Sequence, residues 1–121
     1  DYTVIRVVPR VDRGEQINAG VILSCADTDF LDAGIELDEG ALLALDPHAD
    51  LAEVRAHLDL IRRICQGGPA AGPVGLLPSR GRFRWLVSPR STIIQPSPIH
   101  TGRTSDPAAS LAHLMTRIVR R

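Results

Sequence analysis

The sequence has no lysine, a single methionine, two cysteines and four aromatic residues, Tyr2, Phe30, Phe83 and Trp85, among its 121 positions. Cys25 and Cys65 sit in unrelated segments, without the close spacing of a zinc or redox pair and without the density of a secreted scaffold. They are expected to be buried free thiols in a reducing compartment. No run approaches the roughly 20 apolar residues of a spanning helix, and no basic-then-apolar leader opens the chain, so a soluble, cytoplasmic protein with no membrane contact is expected. Phosphate-loop, dinucleotide-fingerprint, nucleophile-elbow and paired metal-ligand motifs are all missing, and His48, His57 and His113 are scattered. That disfavours a metalloenzyme or a nucleotide-fold enzyme, and neither a cofactor nor a metal is expected. The missing lysines, beside abundant Ala, Gly, Pro and Arg, speak of codon usage in a GC-rich genome and not of chemistry.

What is present fits one domain, 1–121, long enough to bury about two-thirds of its unfolded surface without a disulfide or metal staple. The net charge of zero conceals a division. Residues 1–60 carry thirteen acids and four arginines, whereas residues 61–121 carry ten arginines and one acid, Asp106. Either the halves pack together and pair these charges, or some of the arginines meet an anion: a phosphate, a nucleic acid or an acidic partner.

Tyr2 to Pro9 is β-branched and apolar, a buried strand interrupted by Arg6. A turn around Gly14 leads to a second strand, Ile17 to Cys25, antiparallel to the first, and a short third strand is expected over Ala33 to Leu37. Leu42, Leu43 and Leu45 make a helical turn that Pro47 ends. Leu51 to Gln66 has a full helix signature: Asp50 as cap, Glu53 three residues on, Leu51, Val54, Leu58, Ile61 and Cys65 on one stripe, and Gly67 and Gly68 as the stop. Gly67 to Pro78 is too rich in Gly and Pro for a regular element and predicts a surface loop over 67–79. Arg82 to Ser88 alternates, with Phe83, Trp85 and Val87 toward the core, and predicts a strand; Ser91 to Gln95 predicts another. Asp106 and Pro107 open a closing helix with an apolar stripe of Leu111, Leu114, Met115, Ile118 and Val119. The order implies an α+β fold, an antiparallel sheet of about five strands with helices packed on one face.

Four groups of residues stand out chemically. A guanidinium at Arg6 inside an apolar strand must be paired or open onto a site; a hairpin would offer Glu15 as its partner, and a ligand is the other reading. Arg13, Glu15 and Asn18 place charge and an amide on a tight turn, as binding loops do. Arg80, Arg82 and Arg84 would form a basic ladder on the strand face opposite Phe83 and Trp85, which removes the rings that a nucleic-acid platform needs for stacking. The segment Pro89 to Gly102 gathers Arg90, Ser91, Thr92, Gln95, Ser97, His100 and Thr101, the groups that hold a phosphate or carboxylate, though turns use the same residues. His100 is the one candidate for a general base, acting on Ser91 or Ser97, with no orienting carboxylate in evidence.

Two long motifs carry a resemblance. I-R-V-V-P-x-x-x-R-G-E-x-x-N-x-G-V-I-L from Ile5 to Leu23, followed by F-R-W-L-x-x-P-R-S-T-I-I-Q-P-S-P-I-H-T-G from Phe83 to Gly102 and by D-P-x-x-x-L-x-x-L from Asp106 to Leu114, resemble an uncharacterised bacterial family of short domain-of-unknown-function proteins. The resemblance spans nearly the whole chain. It implies no established activity; members are often encoded beside HipA-like kinase proteins, which implies a partner or accessory role. On its motif positions the ligand- or partner-binding candidates are Arg6, Arg13, Glu15, Asn18, Arg90, Ser91, Thr92, Gln95, Ser97 and His100. If the first turn and the Pro89 to Gly102 segment meet at one end of the sheet, they form a single polar pocket.

The first expectation is therefore a non-enzymatic binding or accessory protein whose partner is a protein such as a HipA-like kinase. The alternatives are a small phosphate-handling enzyme using Ser91, Ser97 and His100 with arginine clamps, and an anion- or nucleic-acid-binding module on the Arg80 to Arg90 edge. A homodimer through the complementary halves is compatible with the charge division.

Overall fold

In the computed structural model, residues 1–88 and 92–120 are described. Strands β1 (Tyr2–Val7) and β2 (Ile17–Cys25) form the expected antiparallel hairpin, and β3 (Phe30–Ile35) returns along β2. Helices α1 (Glu39–Leu45), α2 (Leu51–Gln66) and α3 (Ser79–Val87) follow, then the short β4 (Ile94–Pro96) and α4 (Pro107–Leu114), which continues as a π-helical turn over Met115–Val119. The sheet order is β3-β2-β1-β4, antiparallel throughout. The α+β class with an antiparallel sheet is as expected, with four strands where about five were anticipated.

The missing strand is α3. Phe83, Trp85 and Val87 alternate on paper, but Phe83, Leu86 and Val87 also sit at helical spacing, and the helix satisfies the core with Phe83 and Leu86 buried. Trp85, expected inside, is 37% exposed. The Gly/Pro segment before α3 is not wholly irregular either: Pro69–Ala71 and Pro73–Leu76 are single 3-10 turns, each opened by a proline that presets φ. The third strand begins at Phe30, three residues before the expected start, and the fourth covers the end of the expected Ser91 to Gln95 strand; Ser91 itself lies outside the described residues.

Helices pack on both faces of the sheet, not on one. Alternate residues of a strand point to opposite faces, so Ile22 and its neighbours Val21 and Leu23 serve different cores. Ile5, Val7, Ile22 and Ala33 meet Leu42 of α1, Val54, Leu58 and Ile64 of α2, and Phe83 and Leu86 of α3. Val21 and Leu23 meet Leu111, Met115 and Val119 on the second face. Gly34 makes that second contact close: a Cβ there would lie 2.6 Å from Met115 Cγ. Each fully buried aliphatic side chain contributes about 1.5–3 kcal/mol relative to exposure.

A β-bulge sits in the hairpin. Ile5 is opposite Gly20 but Arg6 is opposite Asn18, which leaves Ala19 without a partner. The extra residue brings Asn18, instead of Ala19, beside Arg6 on the second face.

The chain past Thr92 runs antiparallel along the full length of β1, through Val8 N–H to Ile93 O, Ser97 N–H to Val4 O and a two-way bond between Tyr2 and His100. Ser97 holds this seam. Its hydroxyl oxygen accepts the Val4 N–H at 2.8 Å and donates to Pro98 O at 2.9 Å, while Thr3 Oγ1, fully buried, donates to Ser97 O at 2.7 Å. Ser97→Ala leaves a buried amide without an acceptor and is expected to cost about 2 kcal/mol, read from the urea midpoint. An unchanged midpoint would show that the seam closes without the hydroxyl.

Candidate functional site

Helical periodicity separates the three arginines that alternation would have aligned. Arg80 and Arg84 are four residues apart, on one face of α3, and both are exposed. Arg82 points the other way, onto the end of α2: its guanidinium donates to Ile64 O at 2.9 Å, to Cys65 O at 2.5 Å and to Leu77 O at 3.0 Å. Ile64 O and Cys65 O belong to the last turn of α2, at the negative end of its dipole, where Ile64 O also accepts the Gly67 N–H, and Leu77 O belongs to the segment before α3. Arg82 is thus a structural cap. Under it lies Cys65, whose thiol is pushed up to about 12 by burial, with Asp32 adding to the rise and Arg82 opposing it. Cys65 is a buried free thiol, as expected, whereas Cys25 is half-buried.

Arg80 and Arg84 line a cleft of about 1170 Å³ at the end of the sheet where β2 finishes and α4 begins. Arg103 joins them from the linker before α4, and His113 from α4 itself. Phe83, Val87, Ile99 and Leu114 contribute apolar surface, and Asp1, Asp27 and Asp106 contribute carboxylates. The linker is locally tied: Thr104 Oγ1 lies 2.5 Å from Ser110 Oγ and accepts the Asp106 N–H, and the Asp106 carboxylate caps α4 through the Ala109 N–H at 3.1 Å. Ser79 donates to Asp29, which fastens the start of α3 to the β2–β3 turn.

The charge division is only slightly cancelled within the chain. Among the described residues, the second-half arginines in ion pairs are Arg63, with Asp59 at 2.7 Å, and Arg120, with Glu36 at 2.7 Å. Arg80, Arg84 and Arg103 have no carboxylate within ion-pair reach among those residues, so the cleft keeps three cations available.

The residues singled out from the motifs do not gather at one point. Arg13 pairs with Glu15 at 2.6 Å on the exposed hairpin turn, so Glu15 is not the partner of Arg6. The bulge and the long turn set that outcome: Arg6 faces Asn18 across the hairpin and Gln95 of β4 on its other side. Thr92 donates to Ile94 O, and Gln95 donates to Thr92 O. Ser97 is buried in the seam, its hydroxyl already engaged. His100 stacks on Tyr2, ring centroids 5.0 Å apart, at the other end of β1, about 13 Å along the strand from Arg6. Arg90 and Ser91 lie outside the described residues. From Ile93 to His100 the chain therefore runs along β1 instead of folding over the first turn. Arg103 and His113, which the motifs did not mark, line the cleft; the signal available was the unpaired positive charge of the second half.

Among the described residues no group of three His, Cys, Asp or Glu side chains is placed to hold a metal ion, and no helix is long and apolar enough to cross a membrane. A family model described as a protein of unknown function, DUF3037, matches residues 2–119. No curated protein and no solved structure matches the chain.

Proposed function

Since the chain belongs to the DUF3037 family, whose description assigns no activity, we propose from the site itself that it is an accessory protein that binds a protein partner through the cleft between α3 and α4. The observation that carries this reading is the lining: Arg80, Arg84 and Arg103, unpaired among the described residues, set beside apolar Val87, Ile99 and Leu114 and beside the carboxylates Asp1, Asp27 and Asp106. Arginine next to apolar surface is the composition of protein–protein contacts. A nucleic-acid groove calls for one sign of charge and exposed rings, and here carboxylates share the cleft while Phe83 is buried. The occupant that fits is an amphipathic segment with acidic residues facing the arginines. The resemblance to a family encoded beside HipA-like kinases makes such a kinase the first partner to test.

The test is titration of a purified HipA-like kinase from the same source, by calorimetry or interferometry, with wild type and with Arg80→Glu/Arg84→Glu. Reversing two arginines at the centre of a contact is expected to weaken binding by about 30-fold or more, while the hairpin-turn variant Arg13→Ala binds as wild type. Equal affinity of the double variant and wild type removes the cleft from the contact, and failure of the kinase to bind at all removes that partner.

A further inference from the structure

The second face of the sheet carries a guanidinium that no carboxylate among the described residues pairs. Arg6 lies near the end of β1, between buried Val4 and Val8, and its Nε is wholly buried and without a hydrogen-bond partner among the described residues. No carboxylate is paired with it among the described residues. A guanidinium cannot shed its proton to escape this position, so the unmet donor costs more than a neutral one would. The groups beside it are amides. Asn18 stands opposite Arg6 on β2 because of the bulge, and Gln95 stands opposite it on β4. Asn18 Nδ2 uses one N–H on Ile118 O, at the end of the π-helical turn, and Gln95 Nε2 uses one on Thr92 O. A primary amide has two N–H groups, so each keeps a second donor. All three side chains are partly open to solvent.

Arg6 thus sets a guanidinium with no carboxylate partner among the described residues between two amides that each keep an unused N–H. We infer that Arg6, Asn18 and Gln95 form a binding site for a small oxyanion, a carboxylate or a phosphate, on the second face of the sheet. The guanidinium supplies the charge-assisted fork, and the amides fix the oxygens on either side. The apolar walls lower the local dielectric and strengthen each bond. The bulge belongs to this design: it turns Asn18, instead of the methyl of Ala19, toward the anion, in keeping with the frequency of bulges beside sites. The site is separate from the arginine cleft and stands whether or not a partner docks there.

Thermal unfolding in chloride buffer, with inorganic phosphate or acetate added at constant ionic strength, tests the inference. With millimolar affinity, 10 mM of the preferred anion is expected to raise the wild-type melting temperature by about 6 °C, with no shift for Arg6→Met. A response to phosphate alone, or to acetate alone, supports the site and names its ligand. Equal shifts in wild type and Arg6→Met, or none in wild type with either anion, overturn it. Should Arg6→Met fail to fold, amide-resolved NMR titration of the wild type decides: the side-chain signals of Asn18 and Gln95 move together and saturate if the site exists, whereas changes confined to the surroundings of Arg80, Arg84 and Arg103 refute it.

Discussion

Gly20→Ala is expected to lower the melting temperature by about 12 °C, although alanine in a strand ordinarily stabilises relative to glycine. A Cβ on Gly20 would stand 2.4 Å from the carbonyl oxygen of Gly34 on the neighbouring strand and 2.9 Å from Ile5 Cδ1. The first contact is with backbone, which cannot rotate aside, so β2 and β3 must separate where they are paired; overpacking of this kind costs about 3 kcal/mol. Gly34→Ala is the informative comparison. Its Cβ meets the Met115 side chain, which has rotatable bonds to yield with, and a loss of about 1 kcal/mol is expected. Unfolding curves of the two variants check the contrast. A neutral or stabilising Gly20→Ala would show that the strands are not held at the spacing described.

Arg82→Met is expected to cost about 3 kcal/mol, an effect out of proportion to a partly exposed residue. It strips the end of α2 of donors to Ile64 O and Cys65 O and unfastens Leu77 O, and each charge-assisted bond contributes about 1.5–3 kcal/mol when its partners are shielded. Arg82→Lys should recover little, because one ammonium on a flexible stem cannot span carbonyls on both α2 and the segment before α3. Urea unfolding with an unchanged slope and a lowered midpoint is the expected signature. Wild-type stability in Arg82→Met, together with unaltered amide exchange over residues 61–66, would mean that the α2 terminus is held by its glycines alone. Arg80→Met and Arg84→Met, which touch no helix end, should stay within about 0.5 kcal/mol of wild type.

These two residues also mark where the sequence is readable and where it stops being so. α2 is legible to the residue because both ends are written locally: Asp50 accepts from the Glu53 N–H, and Gly67 takes up a φ of 77°. α4 opens at Asp106 and Pro107 for the same reason. Arg82 to Ser88 is not legible, because Phe83, Leu86 and Val87 satisfy a helix while Phe83, Trp85 and Val87 satisfy a strand. The choice was settled by α2, whose terminus needs the Arg82 guanidinium. A bulge leaves no mark in composition, so the sequence offers Glu15 or a ligand as the partner of Arg6, whereas register sets Asn18 opposite it. The cleft escaped for a different reason. Its arginines, 80, 84 and 103, come from a helix and a linker that only the packed fold sets side by side, whereas the hydroxyls of the Pro89 to Gly102 motif drew attention and are in part, as at Ser97, seam fasteners.

The seam between β1 and β4 has a consequence for the order of folding. Ile5 pairs with Pro96 and Arg6 with Gln95, so β1 finds its second neighbour only after some ninety further residues have been made. At about 5–20 residues per second that is a wait of roughly 5–20 seconds, during which one edge of a Val- and Ile-rich strand stands unclaimed. Pairings this distant in sequence close late and slow the search for the native state. A charged side chain within an apolar strand discourages a foreign strand from taking the vacancy, and Arg6 supplies that charge in β1.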